Sequence, residues 1–206
     1  MHLPLKVNEI FYSLQCEGYR AGTPAIFIRL DGCNLNCSFC DTAKAKGNNC
    51  HTTLLSLYSL ENLAAEIARY PCKNIIWTGG EPALQLTHKV VLFFNNLGYF
   101  QAVETNGLLK LPPNLAYISC SPKTPANTIC YENTYDEMRF VYPFPEKVIL
   151  EEFRGLSRLR IKRMYISPMF DGDKMVPRNV LDAVLFVLQN PSYNLSVQIH
   201  KLINIS

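Results

Sequence analysis

Three of the chain's eight cysteines fall in Gly32-Cys33-Asn34-Leu35-Asn36-Cys37-Ser38-Phe39-Cys40, a C-x3-C-x2-C array. Spacings this short let three sulfurs converge on one small inorganic centre, and bound metal lowers their pKa so that they ligate as thiolates. Structural zinc takes four protein ligands in a closed shell. The segment itself supplies three, with Cys50 and His51 in reach as a completing ligand, so a zinc knuckle is one reading. A 4Fe-4S cluster is the other. Three thiolates leave one iron open to a small-molecule ligand, whereas an electron-carrying ferredoxin closes all four corners with cysteine. An open iron implies chemistry at that corner.

Other reactive residue types gather just after apolar runs. Thr78-Gly79-Gly80-Glu81-Pro82 follows Asn74 to Trp77, and paired glycines there let backbone approach a ligand while Glu81 supplies a carboxylate. Glu104-Thr105-Asn106-Gly107 and Ser119-Cys120-Ser121-Pro122-Lys123 end two further runs. Arg29 sits opposite Ile26, Ile28 and Leu30 in a period-two alternation. Its guanidinium needs either an anionic ligand, whose carboxylate would suit its fork, or an internal glutamate. Near the end of the chain Ser196, Gln198 and His200 alternate with Leu195, Val197 and Ile199, which predicts a strand with one polar face.

The elements that must position these residues follow from periodicity. Candidate strands are Ala25 to Leu30, Asn74 to Trp77, Phe100 to Glu104, Tyr117 to Cys120, Met138 to Tyr142, Met164 to Ile166 and Leu195 to Ile199. Helical spacing links Leu60, Leu63, Ala64 and Ile67 after the N-cap Ser59, then Val90, Val91, Phe94 and Leu97 between Thr87 and the C-terminal Gly98, and then Val180, Leu181, Val184, Leu185 and Leu188. Pro122 to Pro145 reads as a long connection around a single strand. Alternating strands and helices favour a parallel α/β fold, either an open doubly wound sheet or an incomplete (βα) barrel. Both place active sites at the C-terminal ends of strands.

Length and composition narrow the class. A chain of 206 residues with 48% hydrophobic content reads as one domain with a substantial core, which excludes a disordered protein. A net charge of +3 is too small and dispersed for a phosphate-backbone binder. Pro4, Lys6, Asn8 and Glu9 break the apolar residues at the start, and no window has the length of a membrane span, so a soluble, cytoplasmic protein is expected. Cys72, Cys120 and Cys130, with Cys50, then read as core or surface thiols.

The cysteine array, with aromatic Phe39 before its last member, resembles the radical S-adenosylmethionine (SAM) superfamily. Glu9 to Gly18, Asp41-Thr42, Thr78 to Pro82, Glu104 to Gly107, Ser121 to Lys123, Pro168-Met169 and His200-Lys201 together resemble the 7-carboxy-7-deazaguanine synthase family within it. The resemblance implies an α/β fold, an incomplete, modified (βα) barrel of the radical SAM type. It implies a lyase that turns 6-carboxy-5,6,7,8-tetrahydropterin into 7-carboxy-7-deazaguanine with loss of ammonia, in queuosine-precursor biosynthesis. The cofactors would be a 4Fe-4S cluster on Cys33, Cys37 and Cys40, SAM chelating the open iron and cleaved to a 5'-deoxyadenosyl radical, and Mg2+ on Thr42. Phe39, Asp41, Gly80, Glu81, Ser121, Pro122 and Lys123 would hold SAM. Leu14, Gln15, Cys16, Glu17, Arg29, Thr78, His200 and the terminal Ser206 would hold the pterin. A homodimer served by an electron donor such as flavodoxin or ferredoxin is expected.

Three positions depart from the family pattern. Cys16 replaces a glycine and puts a side chain at the pterin site, Ser167-Pro168-Met169-Phe170-Asp171 replaces Gln-Pro-Met-Asp, and Ser206 replaces a proline. The competing readings are a radical SAM activase of a glycyl-radical enzyme, which shares the cysteine loop, and a non-catalytic iron-sulfur or zinc module.

Overall fold

The computed structural model describes residues 3–38, 40, 56–146, 148–155 and 158–205. The chain divides into two compact units, one of residues 1–13, 24–105 and 111–117, the other of residues 14–23, 106–110 and 118–206.

The first unit contains strands β1 (Leu5–Leu14, with Leu14 itself in the second unit), β2 (Pro24–Leu30), β3 (Ser56–Tyr58), β4 (Asn74–Gly79) and β5 (Phe100–Thr105), with helices α1 (Leu60–Ile67) and α2 (His88–Asn96). Its strand order is β5-β4-β2-β1-β3. β2, β4 and β5 run parallel, so their C-terminal ends leave the same edge. Alternation divides the sheet into two faces. Trp77 meets Phe94 of α2 edge-on at 5.4 Å and donates its indole N–H to Gln101 Oε1 (3.0 Å), while the Gln101 amide group donates to the Val91 carbonyl (2.7 Å). Ile26, Ile28, Leu30 and Val103 are fully buried with them, each contributing on the order of 1.5–3 kcal/mol. Along the other face Ala25, Ile76 and Ala102 cluster with Phe27.

The predicted N-cap Ser59 forms, and Thr87 caps the second helix in the same way. Ser59 Oγ accepts the Asn62 amide (3.1 Å) and Thr87 Oγ1 accepts the Val90 amide (3.4 Å). Gly98, at φ 78°, ends the turn after α2 in the left-handed region. β1 was not expected. Leu5 and Val7 are buried and Lys6 exposed, but beyond them the strand is partly exposed on both sides, which erases the alternation.

The second unit contains strands β6 (Tyr117–Cys120, with Tyr117 itself in the first unit), β7 (Thr134–Tyr135), β8 (Glu137–Tyr142), β9 (Arg160–Ile161), β10 (Met164–Pro168) and β11 (Asn194–Leu195). Its helices are α3 (Leu150–Gly155), α4 (Pro177–Gln189) and α5 (Ile199–Ile203). β6, β8, β10 and β11 are neighbours in that order and parallel, and β7 pairs with β9 in a small separate sheet. Cys120, Met138, Phe140 and Ile166 point into a core shared with Phe153, Ala183 and Tyr193. Ser119, Glu137, Arg139, Tyr165 and Ser167 lie on the opposite, polar face.

Two expectations are corrected here. The strand predicted over Leu195 to Ile199 ends at Leu195, and His200 stands in α5, because the Ile199 amide bonds to the Cys16 carbonyl (3.2 Å) rather than to a strand neighbour. The connection from Pro122 to Pro145 holds two strands, β7 and β8, separated by a single residue. Among the described residues no helix is long and apolar enough to cross a membrane.

Candidate active site

In the first unit, β2 delivers the cysteine array directly. The chain leaves Leu30 through Asp31 and through Gly32 at φ 86°, then reaches Cys33. Gln85, which the sequence reading passed over, clamps this exit. Its amide donates to the carbonyls of Asp31 (2.7 Å) and Lys6 (3.2 Å), and its Oε1 accepts the Lys6 amide (2.8 Å). A lone glutamine three residues past a Gly-Gly-Glu-Pro turn carries no signal that would single it out.

Gly79 and Gly80 have a different immediate task from the ligand approach expected of them. The Gly80 amide donates to the Leu30 carbonyl (3.0 Å) and the Glu81 amide to the Gly32 carbonyl (2.8 Å). A Cβ on Gly80 would lie 1.9 Å from Gly32 O, and one on Gly79 2.2 Å from Leu30 O. The close approach is therefore between two stretches of protein backbone, and it fixes the base of the cysteine loop. Glu81 is fully buried, and its Oε1 accepts the Thr105 hydroxyl (2.8 Å) and the Ala83 amide (3.0 Å). That carboxylate ties the end of β4 to the end of β5.

Cys33, Cys37 and Cys40 are each partly exposed. Burial raises the Cys33 thiol pKa, the Leu35 amide on Sγ (3.4 Å) opposes the rise, and the charges of Glu81, Cys37 and Cys40 add to it. The influence of both other thiols means that the three sulfurs share one field. Three thiolates there repel until cations join them, which is what an iron-sulfur cube supplies. In cluster ligation each of the three thiolates would take its own iron. The donor set fits a 4Fe-4S cluster.

Arg29 and Thr78 are register partners on β2 and β4 and share a face. The Arg29 guanidinium pairs with Glu9 (3.1 Å) and lies 5.7 Å from the Phe11 ring, which stacks on Phe27 at 4.8 Å. Of the two partners foreseen for Arg29, the structure provides the glutamate. With Glu9 largely exposed, that pair contributes at most about 1 kcal/mol to stability.

The second unit builds a separate group around residues 14–19. Gln15 Oε1 accepts its own loop's amides at Cys16 (2.9 Å) and Glu17 (3.2 Å), and the Gln15 backbone closes the turn through Thr23 (2.8 Å) and Gly22 (2.7 Å). Cys16 is 4% exposed; burial raises its thiol pKa, the His200 amide donated to the sulfur opposes this, and Glu17 adds to it. The Cys16 thiol is thus packed inside and joins this loop to α5. Glu17 pairs with Arg139 (3.1 Å). Ser121 donates to the Arg139 carbonyl (3.1 Å) and accepts from Lys123, with Pro122 buried between them. Asn106 Oδ1 accepts the Leu108 amide (3.1 Å), and Gly107, at φ 83°, packs against Cys120, so that pair serves as a turn.

The structure thus assembles Cys33, Cys37, Cys40, Gly80 and Glu81, and beside them Arg29 and Thr78, in the first unit. It assembles Gln15, Cys16, Glu17 and His200, and beside them Ser121 to Lys123, in the second. Phe39, Asp41, Thr42 and Ser206, with Cys50 and His51, lie outside the described residues.

Comparison with known proteins agrees with this construction. Residues 27–167 match the Radical SAM superfamily. A 7-carboxy-7-deazaguanine synthase from Bacteroides thetaiotaomicron is 36% identical over 97% of this chain and 98% of its own. Synthases of the same name from Caulobacter vibrioides (34% identical, 97% of this chain and 98% of its own) and Haemophilus influenzae (33% identical, 97% and 93%) are similar along their length. The crystal structure of QueE from Escherichia coli superposes with a TM-score of 0.73, covering 95% of this chain and 94% of that one at 21% identity. The α/β fold of the radical SAM type expected from the sequence stands on these matches. With the cysteine loop at the end of β2 and this likeness along nearly the whole chain, the protein belongs to the 7-carboxy-7-deazaguanine synthase family of the radical SAM superfamily.

Proposed function

We propose that the protein is a carbon-nitrogen lyase that converts 6-carboxy-5,6,7,8-tetrahydropterin into 7-carboxy-7-deazaguanine with release of ammonia, on the route to queuosine and other 7-deazapurines. The observation that carries this reading is the near-full-length likeness to relatives named for that product. Their shared name favours the pterin reaction over activation of a glycyl-radical enzyme. Residues 1–206 act as a single radical SAM domain.

Cys33, Cys37 and Cys40 hold a 4Fe-4S cluster, and Phe39, Asp41, Gly80, Glu81, Ser121, Pro122 and Lys123 hold SAM. When bound, cluster and SAM supply one-electron cleavage of the sulfonium and a carbon radical able to take hydrogen from the pterin C6. The chain's own task is to bind, orient and exclude water. Leu14, Gln15, Cys16, Glu17, Arg29, Thr78, His200 and the terminal carboxylate of Ser206 hold the pterin. Arg29, within 3.1 Å of Glu9, can exchange that exposed partner for the substrate carboxylate at little cost. Thr42 and the same substrate carboxylate hold Mg2+, a hard cation suited to oxygen ligands. The protein works in the cytoplasm as a homodimer, reduced by a flavodoxin or ferredoxin.

The test is anaerobic incubation of the reconstituted protein with SAM, a strong reductant, Mg2+ and the carboxylated pterin. Accumulation of 7-carboxy-7-deazaguanine, abolished in Cys37→Ala, is expected. Cleavage of SAM with the pterin left unchanged would defeat the assignment.

A further inference from the structure

The second unit buries two charges that the reading above does not use. Glu137 and Arg139 alternate with Met138 and Phe140 along β8, so the apolar pair enters the core and the charged pair takes the polar face. Glu137 is 1% exposed and Arg139 5%. Charges this deep persist only when paired and hydrogen-bonded.

Both direct their bonds at one short stretch of chain. Glu137 Oε2 accepts the Tyr19 amide (2.8 Å), and its Oε1 accepts the Ser119 hydroxyl (3.0 Å) and lies 3.5 Å from Arg139 Nε. Arg139 Nη1 reaches past Glu137 to Glu17 Oε2 (3.1 Å). Between these two, the Gly18 amide donates to Ser196 Oγ (2.8 Å). Three consecutive residues are therefore held by three different side chains: Glu17 by Arg139, Gly18 by Ser196 and Tyr19 by Glu137. The fit is close enough to dictate a residue. Gly18 has φ 65°, and a Cβ there would lie 2.2 Å from Glu137 Oε1.

We propose that Arg139 and Glu137 are positioning residues for the pterin, setting the conformation of Leu14–Glu17 by gripping the Glu17 side chain and the backbone that follows it. This rests on the assignment of that loop to the pterin. Arg139 acts as a two-sided brace: its planar fork joins the buried Glu137 to Glu17, whose side chain keeps 23% exposure and so stands at the end of the network that a ligand can meet. A lysine, with one charged nitrogen, reproduces the charge of that brace and only part of its geometry.

The test compares Arg139→Gln, Arg139→Lys and Glu137→Gln with wild type in three readouts: KM for pterin against kcat, SAM cleavage without pterin, and hydrogen exchange at the Gly18 and Tyr19 amides. Arg139→Gln is expected to raise the pterin KM by about tenfold or more, the loss of a charge-assisted contact, while pterin-free SAM cleavage stays within about twofold. Arg139→Lys recovers part of the KM, and Glu137→Gln speeds exchange at Tyr19. If Arg139→Gln does not fold, Glu137→Gln, which removes the charge beside Arg139 and the acceptor of the Tyr19 amide, must raise the pterin KM as well as speed exchange at Tyr19. An unchanged pterin KM in folded Arg139→Gln, or in Glu137→Gln should Arg139→Gln not fold, or an equal loss of pterin-free SAM cleavage, overturns the proposal. Should wild type fail to turn the pterin over, the functional reading falls and exchange alone decides positioning: unaltered exchange at Gly18 and Tyr19 in Glu137→Gln overturns it.

Discussion

Replacing Gly80 with alanine separates two explanations of the Gly-Gly pair. The new methyl group would lie 1.9 Å from Gly32 O, 2.5 Å from Gly32 C and 3.1 Å from Cys33 N, all of them backbone atoms that no side-chain rotation can move. Bringing the closest of these out to a tolerable 3.0 Å requires the two segments to part by about 1 Å. That displacement stretches the Glu81 to Gly32 and Gly80 to Leu30 hydrogen bonds, now 2.8 and 3.0 Å, beyond useful length. Two lost hydrogen bonds at about 0.5–1.5 kcal/mol each, with about 1–3 kcal/mol of overpacking, give a cost of about 2–6 kcal/mol. For a chain of this size that is a fall of about 5–20 °C in the melting midpoint of the cluster-free protein. Because the part that moves is the base of the cysteine loop, iron and sulfide uptake on anaerobic reconstitution should fall as well. Gly80→Ala protein that melts like wild type, takes up its full complement of iron and sulfide and loses only SAM affinity would refute this reasoning. The glycine would then serve ligand approach alone.

Thr105→Val removes the hydroxyl that donates to the buried Glu81 carboxylate at 2.8 Å, and a destabilisation of about 1.5–3 kcal/mol in urea unfolding is expected; a change below about 0.5 kcal/mol would contradict that link. Cys16 supplies a pH test. Its folded pKa is raised, chiefly by burial, so the unfolded chain gives up the proton first as pH rises. The resulting stability is complete below the ordinary thiol value of about 8.5–9 and is lost as pH climbs through the folded value. Cluster-free wild type should therefore lose stability more steeply than Cys16→Ala between about pH 8 and 10, and parallel urea midpoints across that range would count against it.

What the sequence made visible follows from where local signals agree with packing. The cysteine array and the Thr78 to Pro82 segment were placed correctly because each follows a strand with a run of fully buried apolar residues, Ala25, Ile26, Ile28 and Leu30 or Ile75, Ile76 and Trp77, and such runs read clearly. The caps at Ser59 and Thr87 were equally local. The polar half of the second unit was hidden for the opposite reason. Glu137 and Arg139 look like ordinary charges in a strand, and only the return of the Glu17–Tyr19 backbone, well over a hundred residues earlier, turns them into a buried brace. The end of the chain misled because Leu195, Val197 and Ile199 alternate like a strand, while the contact that bends the backbone into α5 comes from Cys16. β7 and β9, two residues each, are too short to carry a period.

The account depends above all on Cys33, Cys37 and Cys40 holding an iron-sulfur cube with one iron left for SAM. Magnetic resonance on anaerobically reconstituted, reduced protein, with the amino and carboxylate groups of SAM isotopically labelled, measures this directly. Coupling of both labelled groups to a single iron, at the iron-to-sulfide ratio of a 4Fe-4S cluster and lost in Cys37→Ala, is predicted. A single zinc held by the three thiolates and a fourth protein ligand, with no coupling to SAM, would contradict it.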